Sequence, residues 1–146
     1  MKRIAKLGPL VGLALVAVLG GAQVPRPSLA QQVQASRWHK RLLLVGAPTA
    51  EQADFRQQQR ALAAVPEQLR ERDMVVLALP YDQLSVADRQ YWSRELKQSL
   101  AGFAVVLIGK DGGVKRTATQ PLAAADLFGT VDKMPMRRKE ARDVKK

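Results

Sequence analysis

Cysteine is absent from the chain's 146 residues. Its absence excludes disulfides, thiol nucleophiles, thiolate metal ligands and a lipid-modified cysteine at a processed N-terminus. Histidine occurs once, at His39. One histidine among scattered carboxylates argues against a transition-metal site. No cofactor is implied by any other motif. Aromatic residues make up only 5% of the chain, and none interleave with its most basic segment, so the stacking platform of a nucleic-acid binder is missing. Acidic residues are few as well: 13, against 24 lysines and arginines, for a net charge of +11.

The basic excess begins at the first residues. "MKRIAK" is a positively charged start, followed by the uncharged run "LGPLVGLALVAVLGGA" at residues 7–22. "QVPRPSLA" comes next, with Ser28 and Ala30 at positions −3 and −1 of a cleavage point. This is the pattern of a secretory signal peptide over residues 1–30, cut after Ala30, with Ala22 as the alternative. The run is short for a bilayer span and is interrupted by Pro9 and several glycines. The expected mature protein is therefore periplasmic or secreted, with no transmembrane span after cleavage. It keeps 20 basic and 13 acidic residues, a net +7.

Three apolar runs follow, "LLLVGA" at 42–47, "MVVLAL" at 74–79 and "FAVVLI" at 103–108. None alternates, as suits strands buried on both faces. Helical patterns separate them. The first opens at Thr49 with Gln52 three residues on, shows Phe55, Ala61, Leu62 and Val65, and restarts at Pro66; its "EQADFRQQQR" piece reads as a solvated face. The second opens at Ser85 with Asp88, and shows Ala87, Tyr91 and Leu96. Asp111-Gly112 predicts a two-residue hairpin turn into "VKRTAT". Pro121 predicts the start of a last helix with Leu122, Ala125, Phe128 and Val131 inward. The order β-α-β-α-β-β-α is that of a three-layer α/β/α domain over residues 31–136, leaving a basic tail at 137–146. It resembles the thioredoxin fold, whose four-stranded mixed sheet has the order 4-3-1-2 with the third strand reversed.

The chemistry of that resemblance is missing. A phosphate loop fails at Gly109-Lys110, because Ala104 stands where glycine is needed and Asp111 where Ser or Thr is needed. In thioredoxin-like enzymes the thiol sits after the first strand, where this chain reads "GAPTAEQ". The hydroxyls of Thr49 and Ser85 serve as helix caps, and a hydroxyl without an adjacent base is a poor nucleophile. The position of the fold's usual cis-proline is Phe103.

Four pieces, "WHKRLLLV", "LRERDMVV", "LIGKDGGVK" and "DKMPMRRKE", resemble the family called domain of unknown function 4174. They are also similar to a domain of animal sushi-repeat and coiled-coil extracellular-matrix proteins. The resemblance covers residues 36–140, implies a thioredoxin-like fold and supplies no catalytic residues. Placed on that fold, Trp38, Arg41, Arg72, Asp73, Lys110, Asp111, Asp132 and Arg137 gather at one end of the sheet. That end is opposite the pole where thioredoxins react. Two readings stay open for it: charged pairs that hold the sheet's lower end together, or a binding site. The function expected is a non-enzymatic binding or adaptor module, with an envelope protein or an anionic envelope surface as partner and no nucleic acid. The alternative is a thiol-independent oxidoreductase or peroxide-handling enzyme.

Overall fold

The computed structural model describes residues 25–146. The basic start, the apolar run and the Ala22 cleavage point lie outside the described residues. Four strands form one sheet: β1 (Arg41–Ala47), β2 (Met74–Pro80), β3 (Ala104–Ile108) and β4 (Val114–Ala118). The sheet order is β2-β1-β3-β4, with β1 parallel to β2 and β3 antiparallel to both β1 and β4. This is the expected order and the expected reversed third strand.

Side chains alternate across a strand, so the unbroken apolar runs feed two cores. Leu43, Val45, Val105 and Leu107 face α2 (Ala53–Ala63), α3 (Pro66–Glu71) and α5 (Ala124–Asp132), meeting Phe55, Leu62, Leu69, Leu127, Phe128 and Val131. Leu42, Leu44, Val106 and Ile108 face α1 (Leu29–Ser36) and the segment after α4 (Val86–Gln90), meeting Leu29, Val33, Trp92 and Leu96. β1 and β3 are buried along their whole length, whereas β2 is partly exposed because it is an edge strand.

Several local expectations change. Helix α1 was not foreseen. Ser28 caps it through a reciprocal capping box with Gln31, Leu29 is 1% exposed, and the Leu29 N–H donates to Asp88 Oδ1 at 2.8 Å. The favoured cleavage point after Ala30 therefore falls inside a folded helix. Thr49 does not cap α2, which starts at Ala53. Ser85 does cap α4, accepting from the Asp88 N–H at 3.1 Å. That helix runs into a turn of π-helix at Tyr91–Glu95, which turns Trp92 inward and leaves Ala87 exposed. Trp92 packs on Tyr81 at 5.5 Å, and both rings close on Gly46, where a Cβ would meet them at 2.6 Å.

Pro121 does not open α5. Residues 121–123 precede the helix as irregular chain held by Gln58, which donates to the Leu122 carbonyl (3.0 Å) and accepts from its N–H (2.7 Å). Gln58 is thus a core residue, 1% exposed, inside the stretch read as solvated. Leu127 takes the inward position expected of Ala125, which is exposed. The hairpin loop spans five residues, closed by Gly109 N–H to Gly113 O and Gly112 N–H to Gly109 O, with only Gly112 in the left-handed region among them. The expected tail begins inside α6 (Pro135–Asp143). Among the described residues no helix is long and apolar enough to cross a membrane.

Candidate functional site at the lower end of the sheet

Period two places Arg41, the first residue of β1, on the α5 face with Leu43 and Val45. It is 1% exposed, an expensive position for a guanidinium unless every donor is met. Its NH1 donates to the Arg72 carbonyl at 2.8 Å and to Glu140 Oε2 at 3.1 Å, and its NH2 donates to Glu140 Oε1 at 3.2 Å. The pair is bidentate, with a fixed plane. Arg41 Nε is buried and has no acceptor.

Lys110, at the start of the hairpin turn, is 8% exposed and reaches under the same sheet end. Its Nζ donates to Glu140 Oε1 at 2.7 Å and to Asp73 Oδ2 at 2.8 Å. Lys40 donates to the other oxygen of Asp73 at 3.4 Å. The hydrogen bond from Lys110 holds the Asp73 carboxyl below the usual range. For Glu140 burial pushes upward, but the bonds from Arg41 and Lys110 outweigh it and the net shift is downward. Burial likewise opposes the charge on Lys110, and its two carboxylate partners reverse that to a raised value. A third unit lies beside these. Arg72 grips both oxygens of Asp132 at 2.9 Å and lies 4.3 Å from the Phe128 ring, while Arg137 Nε meets Asp132 at 3.4 Å. The Arg72 bond lowers the Asp132 carboxyl.

Two residues reach this end through backbone strain. Trp38 follows α1 and Asp73 follows α3, each a non-glycine residue in the left-handed region, at φ 69° and 50°. A helix commonly stops on such a residue, but glycine is the usual occupant. Asp73 uses the position to aim its carboxylate at Lys110, and its carbonyl accepts from Arg41 N–H at 2.8 Å. Trp38 donates its N–H to the Lys110 carbonyl at 2.6 Å and leaves its side chain 59% exposed.

The eight candidates thus fall into three groups. Arg41, Arg72, Asp73, Lys110, Asp132 and Arg137 meet in linked ion pairs. Trp38 touches the group through its backbone. Asp111 pairs within its own hairpin, accepting from Lys115 at 2.6 Å and from Gly113 N–H at 2.9 Å. Asp132 pairs with arginines, and Asp73 pairs with lysines. The residue that joins two of the units, Glu140, was missed because it sits in a stretch whose composition reads as solvated. The only sequence signal for it is a lone carboxylate within "MRRKEAR".

A cavity of about 240 Å³ opens beside the cluster, lined by Arg41, Lys110, Asp111, Lys115 and the first turn of α6. At the opposite pole the loop after β1 carries Pro48 and Thr49, with no thiol. Among the described residues no group of three histidine or carboxylate ligands could hold a metal ion.

Residues 32–140 match the family model described as Domain of unknown function (DUF4174). Coiled-coil domain-containing protein 80 of Danio rerio is 27% identical over 137 residues, spanning 77% of this chain and 16% of that much longer protein. Two solved structures are similar in fold. Plasmodium vivax 2-Cys peroxiredoxin in its reduced form has a TM-score of 0.56 at 15% identity, covering 73% of this chain and 83% of its own. Plasmodium yoelii thioredoxin peroxidase I has a TM-score of 0.55 at 15% identity, covering 73% and 79%. The fold is therefore thioredoxin-like, without the cysteines on which peroxiredoxin chemistry is named.

Proposed function

This chain belongs to the DUF4174 family, and from that premise we propose that it is an exported, redox-inactive binding module that recognises an envelope protein with the lower end of its sheet. The observation that carries this reading is Trp38. A tryptophan in the left-handed region costs on the order of 1–3 kcal/mol of backbone strain. Yet its indole gains little burial in return. Tryptophan is enriched among the residues that carry most of the binding energy at protein interfaces. The Lys110 carbonyl holds its backbone, and the Lys110 ammonium is itself tied to Asp73 and Glu140.

Export rests on the basic start and apolar run. The position of Leu29 favours the cut after Ala22, which leaves α1 whole. Trp38→Ala tests the binding reading. It keeps the backbone conformation and removes only an exposed ring, so thermal stability is expected to change by no more than about 0.5 kcal/mol. Capture of a reproducible partner from envelope extract should be lost. Unchanged capture would contradict the reading.

A second reading has its own observation. Arg138, Lys139, Arg142, Lys145 and Lys146 line the exposed side of α6 and its end, a patch suited to an anionic envelope surface. Binding through that patch would weaken steeply with added salt, whereas an interface centred on Trp38 would not.

A further inference from the structure

We propose that the free edge of β2 pairs with β2 of a second copy of this chain, joining two four-stranded sheets into one eight-stranded sheet. The sheet has two edges, and they are built differently. β4 reads "VKRTA", with Lys115 and Arg116 inside it. Charged side chains on an edge strand are a common bar to further pairing. β2 reads "MVVLALP", seven apolar residues with no charge, no glycine and a proline only at the last position. It pairs with β1 in one unbroken register, so no bulge twists it away. Among the described residues no backbone hydrogen bond ties β2 to any element besides β1. Nor is the edge covered: Val75 is 38% exposed, Ala78 is exposed, and Val76, Leu77 and Pro80 are half-buried. A long, apolar, unguarded edge is a template for another strand.

Match, closure and area point to a second copy as the occupant. An added strand sets its side chains beside those of β2 on both faces, so it must be apolar on both. β2 is itself such a strand. Paired antiparallel about Leu77, Val76 faces Ala78, Val75 faces Leu79 and Met74 faces Pro80, each pair on one face of the sheet and none charged. The two-fold pairing also closes. It leaves β4 with its charges at both outer edges, where no third copy adds. The contact is small: a seven-residue strand offers a strip about 23 Å long and about 10 Å deep, roughly 230 Å² a copy. That is short of the roughly 800 Å² a partner of stable interfaces, so the dimer belongs to the weak, transient class. Its direction has a consequence. β2 starts at the lower end of the sheet, so an antiparallel pair points the two lower ends apart. The dimer then bridges two partners, a consequence that rests on the Trp38 reading above, whereas the pairing itself does not.

Sedimentation velocity of the protein purified from its native host, from about 10 µM to about 1 mM, tests the pairing. The expected result is a monomer–dimer equilibrium that tightens with added salt, because both copies are net positive and salt screens their repulsion. Ala78→Lys and Val75→Lys each put a charge on the edge at an exposed position, so the monomer keeps its fold and dimerisation weakens at least about tenfold. Thr117→Lys, at an exposed position of β4, leaves dimerisation unchanged. The chain has no cysteine, so Leu77→Cys and Thr117→Cys report the edge directly. A short bismaleimide is expected to link two copies through position 77 and not through position 117. A monomer at the highest concentration, a dimer untouched by both edge lysines, or a link through position 117 would overturn the pairing. A monomeric protein whose partner capture is lost with Ala78→Lys would overturn it too, by giving the edge to a foreign strand. Trp38→Ala is expected to leave self-association intact, so failure of the pairing and failure of the Trp38 reading show separately.

Discussion

Glu140 receives three charged hydrogen bonds, from both terminal nitrogens of Arg41 and from Lys110. Removing it strands a guanidinium that water cannot reach. Glu140→Ala is expected to cost about 2–4 kcal/mol, below the most buried pairs because Glu140 itself keeps a quarter of its exposure. The same pairs set a pH dependence. Asp73, Asp132 and Glu140 have lowered values in the folded state, so their contribution is complete above the ordinary 3.8 and 4.5 and is lost as pH falls through the folded values. Lys110 is raised, so its contribution is complete below 10.5 and is lost only as pH rises through its folded value. Thermal melts from neutral to strongly acid pH should show a falling midpoint, and Glu140→Gln should flatten that fall. An unchanged acid limb in the variant would remove the role given to this carboxylate. At this scale the sequence revealed charges and their approximate place, but not partners. Asp73 meets lysines because its left-handed backbone turns it toward the hairpin, and no pattern of residue types encodes that turn. Gln58 stayed hidden for a related reason: only the irregular chain before α5 shows what its amide must satisfy.

Helix α1 was missed because its capping signal lies where a cleavage motif was also legible. "SLAQ" serves both readings, since small residues suit a peptidase and Ser-x-x-Gln suits a capping box. The packing separates them. Leu29 lies against the Trp92 core, and the carboxylate of Asp88 holds its N–H. Leu29→Ala is expected to cost about 2–4 kcal/mol, by loss of buried surface and the void left behind. Mass spectrometry of the protein from its own host should accordingly find Gln23 as the first residue. Gln31 at that position with undiminished stability would contradict the role given to α1, and an intact Met1 in the cytoplasm would contradict export. The strands were easier to read than the helices. The apolar runs of β1 and β3 are continuous, and burial on both faces leaves little choice of element. The helices here are short, and the π-turn after α4 and the start of α5 at Ala124 in place of Pro121 shift the inward face by a residue or more.

Across the molecule, the strand order was legible because β-α-β-α-β-β-α with a tight hairpin at its third and fourth strands resembles the thioredoxin fold, whose strand order this sheet has. That order places the starts of β1 and β2 and the end of β3 together, so six of the eight candidate residues could be brought into one cluster before any coordinates. The helix that completes the cluster could not, since its sequence is almost wholly polar and packs through charge. The central claim is that binding belongs to this end, and not to the pole at which thiol chemistry occurs in the fold. Photo-crosslinking from both ends in the native host tests it most directly, with a benzophenone side chain placed at Trp38 in one strain and at the exposed Thr49 in another. A discrete adduct from position 38 and none from position 49 is the result expected. An adduct from position 49 alone would place recognition at the upper pole and contradict the account.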